Sequence, residues 1–186
     1  MNATKAILLC AAVAAGCAHP AKVDPKPADY RAFVESIREY ALEPDGPDGL
    51  LHSKSATTED WESHYKVVHA DENYASYRCD DYSYTGGAHG NTVIHVGTID
   101  RKTGRELVLD DIFPKDRQEA LKEELRRKAA EALGSADKIQ NEDRLLTNNF
   151  CLMDDGWHFV YSPYDIASFA DGVVEVLVAR MAPAAK

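Results

Sequence analysis

The sequence predicts an α+β domain in which two helices pack on a mostly antiparallel sheet. Two observations lead to this fold class. Short runs rich in β-branched and aromatic residues follow one another across residues 65–109 with turn residues between them, which is typical of a β-meander. Residues 30–42 and 115–133 instead carry apolar residues at helical spacing. The 186 residues are enough for one domain with a hydrophobic core.

Residues 1–16 have the pattern of a bacterial secretion signal, because Lys5 precedes an apolar run that is too short for a permanent membrane span. Residues 14–17, Ala-Ala-Gly-Cys, resemble a lipobox. This favours cleavage before Cys17 and attachment of diacylglycerol to its sulfur, and the alternative is an ordinary signal cleavage at a nearby site of small residues.

Residues 17–28 are rich in Pro, Ala and Lys without an apolar period, which predicts an extended tether, and residues 29–181 form the predicted domain. The residue after the lipidated cysteine is Ala18 rather than Asp, and in this the sequence resembles lipoproteins that are transported to the outer membrane. We therefore expect an exported cell-envelope lipoprotein, bound to the membrane only through its lipid anchor and facing the periplasm from the outer membrane.

The net charge of the chain indicates which kinds of partner it can bind. The chain has 21 Lys and Arg against 31 Asp and Glu, for a net charge of −10. This argues against binding to nucleic acid or to anionic lipid and favours a cationic partner. The simpler alternative is an exported domain that its charge keeps soluble.

The cysteines predict one disulfide. Cys10 leaves with the signal and Cys17 carries the lipid, so Cys79 and Cys151 remain. In an oxidising compartment we expect these two to pair, closing a loop worth about 4 kcal/mol. Neither has the spacing of a zinc or redox motif.

The remaining elements follow in chain order from turn signals and periodicity. Asp29 is placed to cap the first helix, the acidic loop 44–49 lacks the spacing of a calcium loop, and Gly134 is a natural C-terminal cap. The predicted strands are residues 65–69, 73–84, 92–99, 106–109, 148–153, 157–161 and 173–179, with a structured connector at 162–172.

A glycine-rich turn, residues 84–91, lies between two of these strands. Gly86 and Gly87 permit positive φ, so the turn is either a tight hairpin corner or a docking place. We expect His89 to fix the corner through a hydrogen bond to a neighbouring carbonyl.

Aromatic residues cluster on both sides of this turn in the sequence. They either line the core or form an exposed patch suited to binding protein or glycan. The candidate binding residues are Tyr82, Tyr84, Gly86, Gly87, His89, Tyr161 and Tyr164.

Patterns for catalysis or cofactors are weak. The sequence has no G-x-S-x-G elbow, S-x-x-K motif or phosphate-binding loop. His89 and His95 with Asp80 and Asp81 lack the ligand spacing of zinc sites. We therefore expect neither metal nor cofactor.

Three motifs occur in order between about residues 65 and 179. They are residues 84–90, Tyr-Thr-Gly-Gly-Ala-His-Gly; the run Asp-x-x-Thr-Gly-Arg-x-Leu-x-Leu-Asp-Asp-Ile-Phe at residues 100–113; and Phe-x-Tyr-x-Pro-Tyr-Asp-Ile-Ala at residues 159–167, followed by Gly172 and a valine-rich strand. Together they resemble the RsiV-like family. In that family a domain of unknown function forms the extracytoplasmic part of a lysozyme-sensing anti-sigma factor, and it also occurs beside the catalytic domain of some peptidoglycan deacetylases.

The resemblance implies a non-catalytic α+β binding domain outside the membrane, with lysozyme or peptidoglycan among its expected partners. The sequence departs from the family in having Gly90 where Pro is frequent. It also lacks a transmembrane helix with an anti-sigma segment and a deacetylase domain.

Three hypotheses follow. The first is a lipid-anchored binding domain without catalysis, whose partner is a cell-wall-associated protein or glycan, with lysozyme as one such protein. The second is a cell-wall hydrolase or esterase that uses His89 and nearby carboxylates. The third is an envelope-stability lipoprotein without a small ligand.

Overall fold

The computed structural model describes residues 53–58, 61–84 and 86–180. The predicted signal peptide, the tether, Cys17 and the helix at 30–42 lie outside these residues. The strands are β1 (Ser53–Thr58), β2 (Trp61–Ala70), β3 (Tyr74–Ser83), β4 (Asn91–Asp100), β5 (Arg105–Glu106), β6 (Phe150–Met153), β7 (Gly156–Tyr161) and β8 (Val174–Val178), and the helices are α1 (Leu109–Ile112) and α2 (Lys115–Leu133).

The first five strands form one antiparallel meander in the order β1-β2-β3-β4-β5, here called sheet A. The predicted strands at 65–69, 73–84 and 92–99 correspond to β2, β3 and β4. Successive side chains along each strand point to opposite faces of the sheet. One face carries a buried cluster of six side chains: Tyr65, Val67, Ala75, Tyr77, Cys79 and Ile99.

The last three strands form a second antiparallel sheet in the order β6-β7-β8, here called sheet B. On one face of sheet B, Trp157, Phe159 and Tyr161 of β7 are buried with the valines of β8, as their alternation predicts. The apolar stripe of α2, with Leu121 and Leu125, packs on this face and forms the main core. Gly134 ends the helix with φ of 77°, as expected for a left-handed cap.

The opposite face of sheet B packs on sheet A. Cys151 and Val160 from sheet B form a buried cluster with Ile94 and Val96 of β4. The result is an α+β domain of helix, sheet B and sheet A in layers, which confirms the predicted fold class. Within the described part of the chain, no helix is long and apolar enough to cross a membrane.

Side chains from sheet B complete the exposed edge of β4. Strand β5 pairs with Ile99 and Asp100, and no other strand among the described residues pairs with this edge of β4. The amide side chain of Asn149 accepts from Val96 N and donates to the carbonyls of Ile94 and Val160, each at 2.8 Å. These bonds link the backbones of the two sheets.

Ser162 also bonds to the backbone of β4, and Thr98 of β4 bonds in the opposite direction to the backbone of β6. The Ile94 N–H donates to Ser162 Oγ at 2.8 Å, and the Leu152 N–H donates to Thr98 Oγ1 at 2.9 Å. Ser162 is buried, and Thr98 is fully buried. Buried backbone groups require such partners, so these contacts fix how the sheets meet.

The predicted disulfide between Cys79 and Cys151 is wrong, because Cys151 is a free, buried thiol. Cys79 belongs to the cluster on the face of sheet A that points away from sheet B, and Cys151 lies in the cluster between the sheets. Strand alternation therefore puts the two cysteines on opposite sides of sheet A.

The predicted strand at 106–109 is also wrong beyond Glu106, because α1 begins at Leu109. The Asp111 carboxylate accepts from Val108 N at 2.8 Å and binds the Arg105 guanidinium through both oxygens at 2.8 and 2.9 Å. This acidic residue caps a helical turn, and the cap outweighs the β-propensity of the preceding apolar residues.

The role of Asn149 generates a stability prediction. We expect Asn149→Ala to lower the free energy of unfolding by about 3 kcal/mol, because one buried N–H and two carbonyls lose their partner. Urea denaturation followed by circular dichroism measures this loss. Asn141→Ala is the matched control, since the Asn141 side chain makes no capping bond, and we expect a change below about 0.5 kcal/mol. Equal losses in the two variants would contradict the assigned role.

Candidate functional site

Two loops meet at one end of the sheet pair. The glycine-rich loop joins β3 to β4, and the connector 162–173 joins β7 to β8. The bond from Ile94 N to Ser162 Oγ holds the start of the connector against β4. Side chains from separate parts of the sequence therefore lie together at this end.

Exposed aromatic rings occupy this junction. Tyr82, Tyr84 and Tyr164 are exposed over 43%, 42% and 57% of their surface. His89 stacks on Phe169 with ring centroids 3.8 Å apart, and Phe169 lies 5.5 Å from Tyr164. We call these five residues the aromatic surface. Large exposed aromatic side chains of this kind are typical of binding sites rather than of inert surface.

The glycine loop keeps its two tyrosines in place. Gly86 and Gly87 have φ of 92° and 109°, values that side chains disfavour. The Tyr84 hydroxyl donates to the Gly87 carbonyl at 3.0 Å. A Cβ on Gly90 would lie 2.2 Å from the Tyr82 hydroxyl, so glycine is needed there for the Tyr82 ring to cover the backbone.

His89 lies on the surface of the same loop. Its Nδ1 is 2.9 Å from the Gly90 carbonyl, to which the protonated nitrogen donates. In the described part of the chain, its ring is held by this bond and by Phe169, and no carboxylate is hydrogen-bonded to it. The contacts are those of a ring that fixes a corner, and they lack the His–carboxylate pair that general base catalysis uses.

Tyr164 is held outward by a closed turn. The Ser162 N–H donates to Asp165 Oδ2 at 2.7 Å, and the Asp165 N–H donates to the Ser162 carbonyl at 3.0 Å. Arg144 Nη1 donates to the other carboxylate oxygen at 3.2 Å. Tyr164 has φ of 72°, a conformation that costs a residue with a Cβ about 1–2 kcal/mol. Such strain is found where a side chain must be presented in one orientation.

Tyr161 is not part of this surface, although it was a candidate binding residue. It is only 1% exposed, and its hydroxyl donates to the Leu145 carbonyl at 2.7 Å. Burial raises the pKa of its hydroxyl well above the usual range, and the charge of Asp165 adds to this. Tyr161 therefore lines the core and does not contribute to an exposed patch.

Phe169 is the aromatic residue that the sequence analysis missed. It belongs to a short 3₁₀ turn, Phe169–Asp171, within the connector. A signal was available, since Phe169 follows Tyr164 by five residues within the connector 162–172. Its position between Tyr164 and His89 makes it the contact that joins connector and loop.

A buried carboxylic acid lies on the other face of sheet A. Asp81 is 8% exposed and stands opposite Ser63 in the β2–β3 register. Burial raises its pKa to about 7, the Ser63 hydroxyl partly opposes this, and the charge of Asp80 adds to it. His95 Nε2 lies 3.8 Å from Asp81 Oδ2, beyond hydrogen-bond length.

The residues considered for metal binding do not converge. His89 and Asp81 lie in different contact sets, as described above. Across the described residues, no group of three or more His, Cys, Asp or Glu side chains is arranged to hold a metal ion. The acidic pairs at 110–111 and 154–155 instead bind neighbouring cations and histidines.

Two family models match parts of the chain. Residues 110–180 match a family described as a protein of unknown function, DUF3298, and residues 23–92 match a family described as Deacetylase PdaC. No curated protein matches the chain. The aromatic surface takes Tyr82, Tyr84 and His89 from the PdaC-like region and Tyr164 and Phe169 from the DUF3298 region.

Solved structures with this fold carry the same family name. A DUF3298 family member from Bacteroides fragilis NCTC 9343 superposes with a TM-score of 0.56 at 26% identity, over 84% of this chain and 67% of that chain. A DUF3298 family protein from Pseudomonas aeruginosa PAO1 superposes with a TM-score of 0.54 at 22% identity, over 83% and 67% of the two chains, and supports the fold alone.

These findings define the class as an α+β domain of unknown function. Residues 110–180 are similar to the DUF3298 family and residues 23–92 to the Deacetylase PdaC family, and each match covers less than half of the chain. The RsiV-like resemblance of its motifs is consistent with this class.

The buried Asp81 generates a prediction on pH dependence. A folded-state pKa raised from 3.8 to about 7 means that its contribution to stability is complete below pH 3.8 and is lost as the pH rises through about 7. We therefore expect Asp81→Asn to raise the melting temperature relative to the parent at pH 8 and to lose most of this advantage near pH 4. Asp116→Asn, at an exposed aspartate, serves as the control. A constant difference across the pH range would contradict a buried, titrating Asp81.

Proposed function

We propose that this chain is a non-catalytic binding domain of the cell envelope, and that it binds a cell-wall-associated protein or glycan through the aromatic surface. The observation that carries the proposal is the set of exposed rings of His89, Tyr82, Tyr84 and Tyr164, in which the half-buried Phe169 contacts both His89 and Tyr164. Rigid aromatic side chains lose little conformational entropy on binding and supply much of the contact energy at interfaces.

The construction of the surface supports a binding role. Tyr164 accepts an unfavourable backbone conformation while its side chain stays exposed, and its ring contacts Phe169, which in turn stacks on His89. A core-forming aromatic would gain burial in return for such strain, and Tyr164 gains little. Recognition of a partner is the benefit that fits this arrangement.

The class of partner follows from charge and from the predicted address. The net charge of −10 favours a cationic protein such as lysozyme by long-range attraction. Glycan strands fit the exposed rings, because the apolar faces of sugars pack on aromatic side chains. Both partners are associated with the cell wall, and the predicted lipid anchor at Cys17 would hold the domain at a membrane that faces it.

The rival hypothesis of a hydrolase or esterase draws less support. It requires His89 to work with a carboxylate, and the hydrogen bond of His89 goes to the Gly90 carbonyl. A general base needs a positioned partner within hydrogen-bond reach of the proton that it takes.

Substitution in the aromatic surface tests the proposal. We expect Tyr164→Ala and His89→Ala to weaken binding of lysozyme or of soluble muropeptides at least about tenfold, or ~1.4 kcal/mol, in titration calorimetry. Val108→Ala is the matched control, since Val108 is 41% exposed and lies outside this surface. Binding that neither substitution weakens would place the site elsewhere, and no binding of either probe would contradict the proposal.

A turnover assay separates binding from catalysis. We expect no release of products from muropeptides by the parent chain under conditions where binding is saturated. Turnover that disappears in a folded His89→Ala variant would support the hydrolase or esterase and overturn the non-catalytic proposal.

A further inference from the structure

A histidine with two carboxylate partners holds the turn between β6 and β7. His158 Nε2 lies 2.6 Å from Asp155 Oδ1, and His158 Nδ1 lies 2.6 Å from Glu175 Oε1. A neutral imidazole has only one N–H, so it cannot donate to both carboxylates. The ring makes both bonds only as the imidazolium cation, which carries a proton on each nitrogen.

The same set of charges reaches across to sheet A. The other oxygen of Glu175 accepts from Arg78 Nη1 of β3 at 3.1 Å, and Arg78 Nε donates to Asp80 at 2.7 Å. The side chains of His158 and Arg78 are 12% and 18% exposed, so water screens their charges only in part. A line of alternating charges therefore joins the turn to both sheets.

A second histidine holds the same turn from sheet A. His69 of β2 places Nδ1 2.8 Å from Asp154 Oδ1 and Nε2 3.3 Å from Asp71 Oδ2. Its ring is 10% exposed, whereas Asp154 is 97% exposed. Solvent screening makes this the weaker of the two attachments.

This geometry does not suit a metal ion. In each set the two carboxylates approach opposite nitrogens of one ring, so their lone pairs do not converge on a common point. The 2.6 Å distances from His158 to Asp155 and Glu175 are those of hydrogen bonds from the ring to the two carboxylates.

We propose that His158 is a proton-dependent latch, which holds the β6–β7 turn closed on both sheets while the ring is protonated and releases it when the ring loses a proton to solvent. On release, one ring nitrogen has lost its proton, and its lone pair faces a carboxylate oxygen. That repulsion removes the bond to either Asp155 or Glu175, and Arg78 then remains the only cation of the line.

The directions of the pKa shifts around His158 agree with a protonated ring in the closed latch. Burial lowers the pKa of His158, but the hydrogen bonds and charges of Asp155 and Glu175 outweigh burial, so its pKa lies above the usual 6.5. The bond from His158 keeps the pKa of Asp155 below its usual 3.8. Cys151 lies near Glu175 and Arg78 and stays protonated, since burial raises its pKa to about 12.

The sign of the effect follows from linkage. The raised pKa of His158 means that its stabilisation is complete below pH 6.5 and is lost as the pH rises through the folded-state value. The depressed pKa of Asp155 means that its part is present above pH 3.8 and is lost as the pH falls through its folded-state value. The latch is therefore closed between pH 3.8 and 6.5, and it opens as the pH rises through the folded-state pKa of His158, which lies above 6.5.

NMR spectroscopy of the full chain as a function of pH tests the latch. We expect the His158 ring resonances to titrate above pH 6.5. Over the same step, the amides of residues 154–157 should lose exchange protection, corrected for intrinsic rates, by about tenfold for each unit of pKa elevation. Amides of α2 should not change over this step.

Two variants and a control make the test decisive. Asp155→Asn keeps the shape of the turn but removes its charge, so the His158 titration should move to lower pH. His158→Gln should abolish the pH-dependent step in protection. His64→Gln, at an exposed histidine beside Glu62, should leave both observations unchanged. A His158 midpoint at or below 6.5, a midpoint unmoved by Asp155→Asn, or protection without a step in the parent chain would each overturn the proposal.

Discussion

The structure depends on how the open edge of β4 is satisfied. An exposed strand edge presents unpaired N–H and carbonyl groups, which are costly when buried and prone to pairing with other chains when exposed. Among the described strands β5 covers the last two residues of this edge, and the side chains of Asn149 and Ser162 bond to the backbone of Ile94 and Val96 before them. The Thr98 hydroxyl of β4 in turn accepts from the Leu152 N–H of β6. Two antiparallel sheets thereby pack as one domain without sharing a ladder.

This arrangement also determines which side chains can act together. Strand alternation gives sheet A one face toward sheet B and one face away from it, and in β3 and β4 neighbouring residues alternate between the two faces. Cys79 and Asp81 fall on the outer face, while Cys151 and Ile94 lie between the sheets. Residues that look related in the sequence, such as the two cysteines, are separated by the thickness of a sheet.

The fold was largely predictable from the sequence because its signals are local. Period-2 patterns identify β3, β4, β7 and β8, and a helical stripe with Gly134 identifies α2. The division into two sheets was not predictable, since it rests on the side-chain bonds of Asn149 and Ser162 to a strand more than fifty residues away. The site was predicted in part: the tyrosines beside the glycine turn are exposed, whereas Tyr161 and Phe169 could be separated only by knowing which face of the connector meets the core.

The aromatic surface is a consequence of the seam between the sheets. Tyr82, Tyr84 and His89 belong to the hairpin of sheet A, and Tyr164 and Phe169 belong to the connector of sheet B. The bond from Ile94 to Ser162 lies at the base of that connector and sets where it begins. The hairpin lies in the region similar to the PdaC family and the connector in the region similar to DUF3298, so the stacking of His89 on Phe169 joins the two regions. A site of this kind depends on the packing of the whole domain, so it cannot be assigned to either region by itself.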